Sequence, residues 1–148
     1  MALAAEGALL HHKSPFTRVF LPDHHALLVI HEGVALKRTG ALIAVSHHGR
    51  VLYTWPVSTA RRGYITPRGN YRPTQLHRMW YSRKYDMSPM PHSVFFSGGY
   101  AVHATNYVKR LGTPASHGCV RLHPDDASDF YQLVRTFGRS NTSIVITE

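Results

Sequence analysis

The sequence predicts a single-domain, mostly β protein, β-sandwich or barrel-like, with one main α-helix. Short runs of β-branched and aromatic residues recur between turn-forming residues, which is typical of strands. A single segment near the C-terminus has the apolar spacing of a helix. The chain has 148 residues, of which 43% are hydrophobic, enough for one packed core. We expect a domain over 26–148, preceded by an N-terminal extension over 1–25.

Seven segments have strand character. They are 26–31, 41–46, 51–57, 70–75, 93–97, 100–105 and 143–147. The first is a continuous apolar run, which indicates burial on both of its faces. The second and third flank His48-Gly49, a dipeptide that favours a tight hairpin turn. The segment 60–91 is rich in proline, glycine, arginine and tyrosine, so we expect mainly irregular structure there, forming a lid or wall over a site.

The helix is expected directly after residue 123. Pro124 suits its first turn, and Asp125 and Asp126 complement the positive end of the helix dipole. Gly138 is a stop signal. The apolar residues at helical spacing are Ala127, Phe130, Val134 and Phe137.

Composition excludes several classes of protein. A single cysteine excludes an internal disulfide framework and a multi-cysteine zinc ribbon. No apolar run reaches the roughly 18 residues that span a bilayer, so we expect no transmembrane segment. The net charge of +9 suits an anionic partner. Because the basic residues are spread along the chain instead of forming one arm or a known module, we expect no nucleic-acid partner.

Cys119 is the residue that most strongly indicates chemistry. A free cysteine is commonly a small buried hydrophobe, but Gly118 before it permits a tight turn with exposed N–H groups. His117 and His103 precede it. A nucleophilic thiol needs a base and donors for an oxyanion, and this segment supplies candidates for both. If 100–105 and 119–122 pair as neighbouring strands, the base reaches the thiol.

A metal site is the rival chemical interpretation. Its candidate ligands are His103, His117, Cys119 and His123. The spacing lacks a second Cys-x₂-Cys or His-x₃-His pair, so we expect no metal. Three His-His pairs, at 11–12, 24–25 and 47–48, are not expected to chelate an ion, since adjacent strand residues point to opposite faces.

The residues around Cys119 resemble the L,D-transpeptidase catalytic domain family, also called YkuD-like. The similar segments are His103-Ala-Thr-Asn106, the Leu111–Pro114 loop, Ser116-His-Gly-Cys-Val-Arg-Leu122, Pro56-Val57-Ser58-Thr59, Thr66-Pro67-Arg68-Gly69 and Met90-Pro91. Several independent pieces occur in the right order over roughly residues 40–146. Ala104 and Ala60 depart from the family, which usually has glycine at both positions.

The resemblance implies roles for the motif residues. Cys119 is the nucleophile, His103 is the general base, and His117 helps to hold the substrate or the developing charge. Backbone N–H groups of Gly118 and Cys119 form the oxyanion hole. Ser116 orients His103 through its backbone carbonyl.

Arg121 and residues of the segment 60–91 are also expected to face the substrate. Arg121 lies two residues from the nucleophile on a strand, hence on the same face, where it grips a substrate carboxylate. Tyr85 and Met90, with Tyr81, line the wall formed by 60–91.

The implied reaction is peptidoglycan cross-linking. The thiol attacks the carbonyl after the third residue of a tetrapeptide stem, D-Ala leaves, and the thioester passes to an amine. The same stem with water as acceptor gives an L,D-carboxypeptidase, and a non-catalytic cell-wall binding module remains a second class of function. The resemblance implies peptidoglycan stem peptides as partners, a role in cell-wall biogenesis and cell shape, and a periplasmic or wall-associated location, although no clear signal peptide is visible. We expect no cofactor and a monomer.

Overall fold

The computed structural model describes residues 26–31, 41–47 and 50–147. The N-terminal extension expected over 1–25 lies outside the described residues, as do the His-His pairs at 11–12 and 24–25 and the second histidine of the pair at 47–48.

Nine strands form one mixed sheet in the described residues. They are β1 (Ala26–His31), β2 (Ala41–His47), β3 (Arg50–Ser58), β4 (Gly69–Tyr71), β5 (Gln75–Ser82), β6 (Ser88–Ser97), β7 (Tyr100–Ala104), β8 (Val120–Leu122) and β9 (Thr142–Thr147). Their order in the sheet is β4-β9-β1-β2-β3-β8-β7-β6-β5. One α-helix, α1 (Pro124–Phe137), packs against β6 and β7.

The sheet curls back on itself without closing into a barrel. Tyr71 of the edge strand β4 meets Phe96 of β6, with ring centroids 5.2 Å apart. The larger apolar core of the described residues lies between the curled sheet and α1. Its fully buried members include Val57, Val94, Val102, Val120, Leu122, Phe130 and Ile144. The mostly β fold with one main helix is therefore confirmed.

The helix begins and ends where its signals predict. The His123 Nδ1 accepts a hydrogen bond from the Asp125 N–H at 3.1 Å, which caps the first turn. Gly138 follows the last turn with a φ of 90°, a conformation that favours glycine. Ala127, Phe130 and Val134 are buried against the sheet. No helix of the described residues is long and apolar enough to cross a membrane.

The expectation of irregular structure over 60–91 was wrong for its second half. Strands β5 and β6 form a long hairpin closed by a 3₁₀ turn at Arg83–Tyr85. Pro89 and Pro91 suggested an irregular chain, but they lie where β6 pairs with β5 alone, since the partners of β7 begin at Val94. A strand tolerates proline where one side has no neighbour.

The short strand expected at 70–75 is displaced towards the N-terminus. It covers Gly69–Tyr71 and pairs with β9. Pro73 lacks an N–H to donate, so pairing does not continue through it. The chain then crosses to β6, where the Thr74 N–H donates to the Phe95 carbonyl at 2.8 Å.

Candidate active site

Two neighbouring parallel strands bring His103 and Cys119 to one side of the sheet. In the register of β7 and β8, Val102 pairs with Val120 and His103 with Arg121. Cys119 directly precedes β8, two residues before Arg121, so it shares that face. The opposite face carries Val102 and Val120 into the core. The predicted pairing of these segments is confirmed, and it makes His103 and Cys119 diagonal neighbours.

The Cys119 thiol lies half-buried in a small apolar cluster. The side chains of this cluster are Met90, Phe95 and Ala101. The Sγ atom is 3.9 Å from the Gly99 carbonyl oxygen. Burial raises the pKa of the thiol above its ordinary value, and the Ala101 N–H and the Arg121 charge offset only part of that rise. The resting thiol is therefore protonated at neutral pH.

Met90 reaches this cluster because the alternation of strand β6 is interrupted. Met90 and Phe95 are five residues apart, and side chains at that spacing point to opposite faces of a regular strand. His92 lies between them with a φ of 51°, a left-handed conformation. This residue resets the alternation, so Met90 is 6% exposed and packs beside the thiol, as the sequence predicted for the wall.

His103 is buried and held by its own strand. Its Nδ1 is 2.7 Å from the Ala104 carbonyl oxygen. A carbonyl only accepts, so Nδ1 carries the proton and Nε2 keeps its lone pair. Burial lowers the pKa of His103 to about 4, and the Arg121 charge lowers it further, while the Ala104 hydrogen bond opposes them. The imidazole is therefore an unprotonated base at neutral pH.

The expectation that Ser116 orients His103 was wrong. The Ser116 carbonyl accepts from the Arg61 N–H at 2.9 Å, and His103 bonds to Ala104 instead. The Ser116 side chain instead holds the turn formed by residues 116–119. Its Oγ donates to the Cys119 carbonyl at 2.6 Å.

The Gly118 N–H is not a free donor for an oxyanion. It donates to Ser116 Oγ at 3.0 Å, so the expectation for this N–H is corrected. Of the two predicted donors, the Cys119 N–H is the one left to consider. The hydroxyl of Ser116 thus accepts from one residue of the turn and donates to the next, which makes the turn rigid.

Gly118 cannot be replaced without disturbing this turn. Its φ is +131°, in the region that favours glycine. A Cβ atom there lies 2.4 Å from Tyr100 Cε1 and 2.8 Å from the Ile65 carbonyl oxygen. The second contact is with backbone, which cannot rotate away. The role of this residue is steric.

Ile65 belongs to a strap, residues 59–68, that lies along the turn 116–119. The Thr59 carbonyl accepts from the N–H groups of Ala115 and Ser116, both at 2.9 Å. Within the strap, the Ala60 N–H donates to Thr66 Oγ1 at 3.0 Å. The first half of the expected wall is therefore a strap bonded to the turn, and the hairpin is its second half.

The His117 ring joins the strap to the hairpin. The Tyr85 ring stacks on it, with centroids 4.1 Å apart and planes at 12°. The Tyr64 ring meets it edge-on at 4.6 Å. Arg61 Nη2 is 3.2 Å from His117 Nε2. Tyr85 thus lies against His117, whereas the Tyr81 side chain is 48% exposed.

Arg61 determines the tautomer of His117. A guanidinium only donates hydrogen bonds, so Nε2 must accept and the ring proton resides on Nδ1. Burial lowers the pKa of His117, and the charges of Arg61, Arg121 and Lys84 lower it further. The His117 ring is therefore neutral at pH 7 and above.

Sequence reasoning gave Arg61 and Tyr64 no role. Arg61 is one of the positive charges spread along the chain, and Tyr64 belongs to the turn-rich segment 60–91. The available signal was the basic and aromatic run Arg61-Arg62-Gly63-Tyr64, which follows the Pro56–Thr59 motif after Ala60. Their contacts with His117 depend on strap geometry, which that signal does not specify.

The Arg121 side chain is half-buried and lies on the same face of the sheet as His103. It pairs in register with His103, and its Nη1 is 3.4 Å from the Ala115 carbonyl. Burial lowers its pKa, although a guanidinium remains charged. The structure thus places one cation on the face that carries His103 and Cys119.

The candidate zinc ligands are not gathered into a cluster. Over 26–31, 41–47 and 50–147, no group of three or more His, Cys, Asp or Glu side chains is arranged to hold a metal ion. His123 uses its Nδ1 to cap α1, and Arg61 occupies Nε2 of His117.

Comparison with known protein families gives a match over most of the chain. The family described as YkuD, L,D-transpeptidase catalytic domain, matches residues 28–146. A comparison with curated protein sequences gives no significant match.

Solved structures of similar fold include several L,D-transpeptidases. An L,D-transpeptidase from Mycobacterium smegmatis superposes with a TM-score of 0.71 at 22% identity, over 84% of this chain and 59% of that one. LD transpeptidase LdtMt1 in complex with imipenem gives 0.70 at 21% identity, over 82% and 58%. L,D-transpeptidase 3 from Mycobacterium tuberculosis with a faropenem-derived adduct gives 0.65 at 19%, over 88% and 71%. The chain thus spans about three fifths of the length of the first two.

Proposed function

Because the chain belongs to the YkuD family of L,D-transpeptidase catalytic domains, we propose that it is a peptidoglycan L,D-transpeptidase whose nucleophile is Cys119. One observation carries the proposal. The only thiol of the chain lies diagonally across two parallel strands from His103, which is buried and neutral with its Nε2 lone pair unused by the Nδ1 hydrogen bond. This pairing supplies a nucleophile and a base on one face.

Acylation begins from a neutral pair. As the Cys119 sulfur attacks the carbonyl carbon after the third stem residue, the thiol proton passes to His103 Nε2. The C–S bond forms and the carbonyl oxygen becomes an oxyanion. When the C–N bond breaks, His103 returns the proton to the nitrogen of the leaving D-Ala, which leaves a thioester. No charged thiolate–imidazolium pair is needed at rest.

The oxyanion is stabilised by donors on the same face. The Cys119 N–H is the backbone donor, since that of Gly118 is engaged by Ser116. Arg121 adds a positive charge beside the thiol, and losing one such donor costs about 3 kcal/mol in a studied protease. Arg121 also suits a substrate carboxylate, because its planar fork binds two oxygens.

His117 acts as a neutral donor and not as an acid or base. Arg61 occupies its Nε2, which leaves the Nδ1–H for a substrate carbonyl. The Tyr85 and Tyr64 rings fix the ring plane. Tyr85 and Met90 then form the substrate-facing side of the hairpin.

Transfer to the acceptor reverses the proton path. An amine of a neighbouring stem attacks the thioester, His103 takes its proton, and Cys119 leaves as a thiol. Water in place of the amine gives the L,D-carboxypeptidase outcome. The substrate requires the domain to work outside the cytoplasmic membrane, in the periplasm or at the wall, in cell-wall biogenesis and the maintenance of cell shape. A monomer suffices, because both reacting groups come from one chain.

A carbapenem tests the nucleophile. The similar proteins include an imipenem complex and a faropenem-derived adduct, so we expect imipenem to add covalently to this chain. Intact mass should show one adduct in wild type and none in Cys119→Ala. His103→Asn should lower the acylation rate at least about 100-fold, the usual size of a general-base contribution. No adduct with a thiol that still reacts with a disulfide reagent would favour the non-catalytic module.

Defined tetrapeptide stems test the acceptor. Incubation with the stem alone, followed by separation of products, distinguishes a cross-linked dimer from a tripeptide. We expect dimer and free D-Ala in wild type, and neither in Cys119→Ala. Tripeptide without dimer would assign the carboxypeptidase instead.

A further inference from the structure

Four arginines line a groove between the end of α1 and the start of β5. They are Arg72, Arg78, Arg135 and Arg139. The groove consists of two adjoining cavities of about 400 and 560 Å³ that share Arg139. Its floor is apolar and is formed by Leu76, Tyr131 and Val134.

The guanidinium groups have few partners among the described residues. Arg139 donates to the Thr74 carbonyl and Arg72 to the Ser140 carbonyl, which leaves most of their N–H groups unused. Arg135 lies over the Tyr131 ring, 6.0 Å from its centroid. Among the residues that the structure describes, none of the four forms an ion pair with a carboxylate. Within the described part of the chain, the groove is therefore a concentrated positive surface that no carboxylate neutralises.

This groove is separate from the active site. Arg78 lies in the first half of β5, whereas Tyr85, which stacks on His117, lies beyond its end. The seven residue steps from Arg78 to Tyr85, along mainly extended chain, span about 20 Å. A ligand in the groove does not overlap with a peptide at Cys119.

We propose that the groove binds a linear anionic polymer that carries a carboxylate or phosphate on its repeating units. An elongated, basic groove suits a linear anion, and arginine binds both anions through paired N–H groups. Single-stranded nucleic acid is less suited, because its binding sites present exposed aromatic rings for base stacking. The aromatic residue lining this groove, Tyr131, is 5% exposed. The proposal does not depend on the transpeptidase assignment.

The test uses the full chain and a double variant, Arg78→Gln/Arg135→Gln. These two arginines make no hydrogen bond to the backbone of the described residues, so their loss should leave the fold intact, as near-ultraviolet circular dichroism will check. Arg62→Gln/Arg83→Gln is the control, because it removes the same charge from exposed positions outside the groove. Equilibrium binding is measured against polygalacturonate, poly(glycerol phosphate), neutral dextran and oligothymidylate over a series of salt concentrations.

We expect wild type and the control variant to bind one or both anionic polymers, and dextran not to bind. The groove variant should bind about tenfold more weakly, with a smaller salt dependence. Its imipenem acylation should be unchanged, and this readout separates the groove from the active site. The two polymers distinguish carboxylate from phosphate. Equal weakening in the control variant, binding of dextran, tighter binding of oligothymidylate, or no binding at low salt would each overturn the proposal.

Discussion

Burial of a neutral His103 should make the fold sensitive to acid in a defined window. Its pKa is about 4 in the folded protein and 6.5 in a solvated chain. Between these values the unfolded chain binds a proton that the folded protein excludes, so stability is complete above pH 6.5 and is lost as the pH falls towards 4. The difference of 2.5 pKa units corresponds to about 3 kcal/mol at 1.36 kcal/mol per unit.

His103→Asn isolates this contribution. The asparagine amide can donate to the Ala104 carbonyl as Nδ1–H does, but it does not titrate. Urea unfolding of both proteins at pH 7.5, 5.5 and 4 gives the free energy of unfolding at each pH. We expect the wild-type value, relative to that of the variant, to fall by about 3 kcal/mol between pH 7.5 and pH 4. The subtraction removes the contributions of His117 and Asp126, which both proteins share.

A parallel loss in wild type and variant would refute the reasoning. It would mean that His103 protonates as readily in the folded chain as in the unfolded one. The ring would then be solvated and would titrate as in the unfolded chain, so the desolvated neutral base from which acylation is argued would be absent.

Three further predictions concern the turn, the thiol and the strap. Gly118→Ala should cost about 3 kcal/mol of stability and abolish acylation, because backbone strain and steric overlap act together. Gly63 has a φ of +92° and no atom near its Cβ position, so Gly63→Ala should cost about 1 kcal/mol and retain acylation in the imipenem assay. Alkylation of Cys119 by iodoacetamide should accelerate with each pH unit up to pH 9, because its pKa is raised, and a plateau below pH 8 would indicate a resting ion pair instead. Nitrogen-15 NMR should show His117 protonated at Nδ1 in wild type. Arg61→Met should raise the pKa of His117 and populate the other tautomer while Arg61→Lys preserves Nδ1–H, and a wild-type ring protonated at Nε2 would contradict the assignment.

Local patterns were sufficient for most of the fold. The bounds of β1 agree with the apolar run at 26–31, and α1 begins at Pro124 and ends before Gly138 as its terminal residues predict. These elements depend on interactions between residues close in sequence, so short windows contain the information. The hairpin of β5 and β6 was missed because Pro89 and Pro91 are tolerated only where β6 has β5 as its single neighbouring strand. Composition does not show where that is.

The same division applies to the active site. The motif around Cys119 predicted a nucleophile and its base, and it predicted the family, which the family match confirms. It did not predict which groups each histidine contacts, and two roles assigned through the resemblance, the carbonyl of Ser116 and the N–H of Gly118, were wrong. Each depended on which of several nearby donors and acceptors pair in three dimensions.

The sequence by itself determined the kind of chemistry available to this protein: one thiol, a histidine one strand away, and a glycine that permits the turn between them. Only the tertiary structure decided the protonation states. The pKa of His103 is lowered because the sheet buries it, and the proton of His117 lies on Nδ1 because the strap brings Arg61 to its other nitrogen. Desolvation and hydrogen-bond partners arise from residues distant in sequence, so no local pattern contains them.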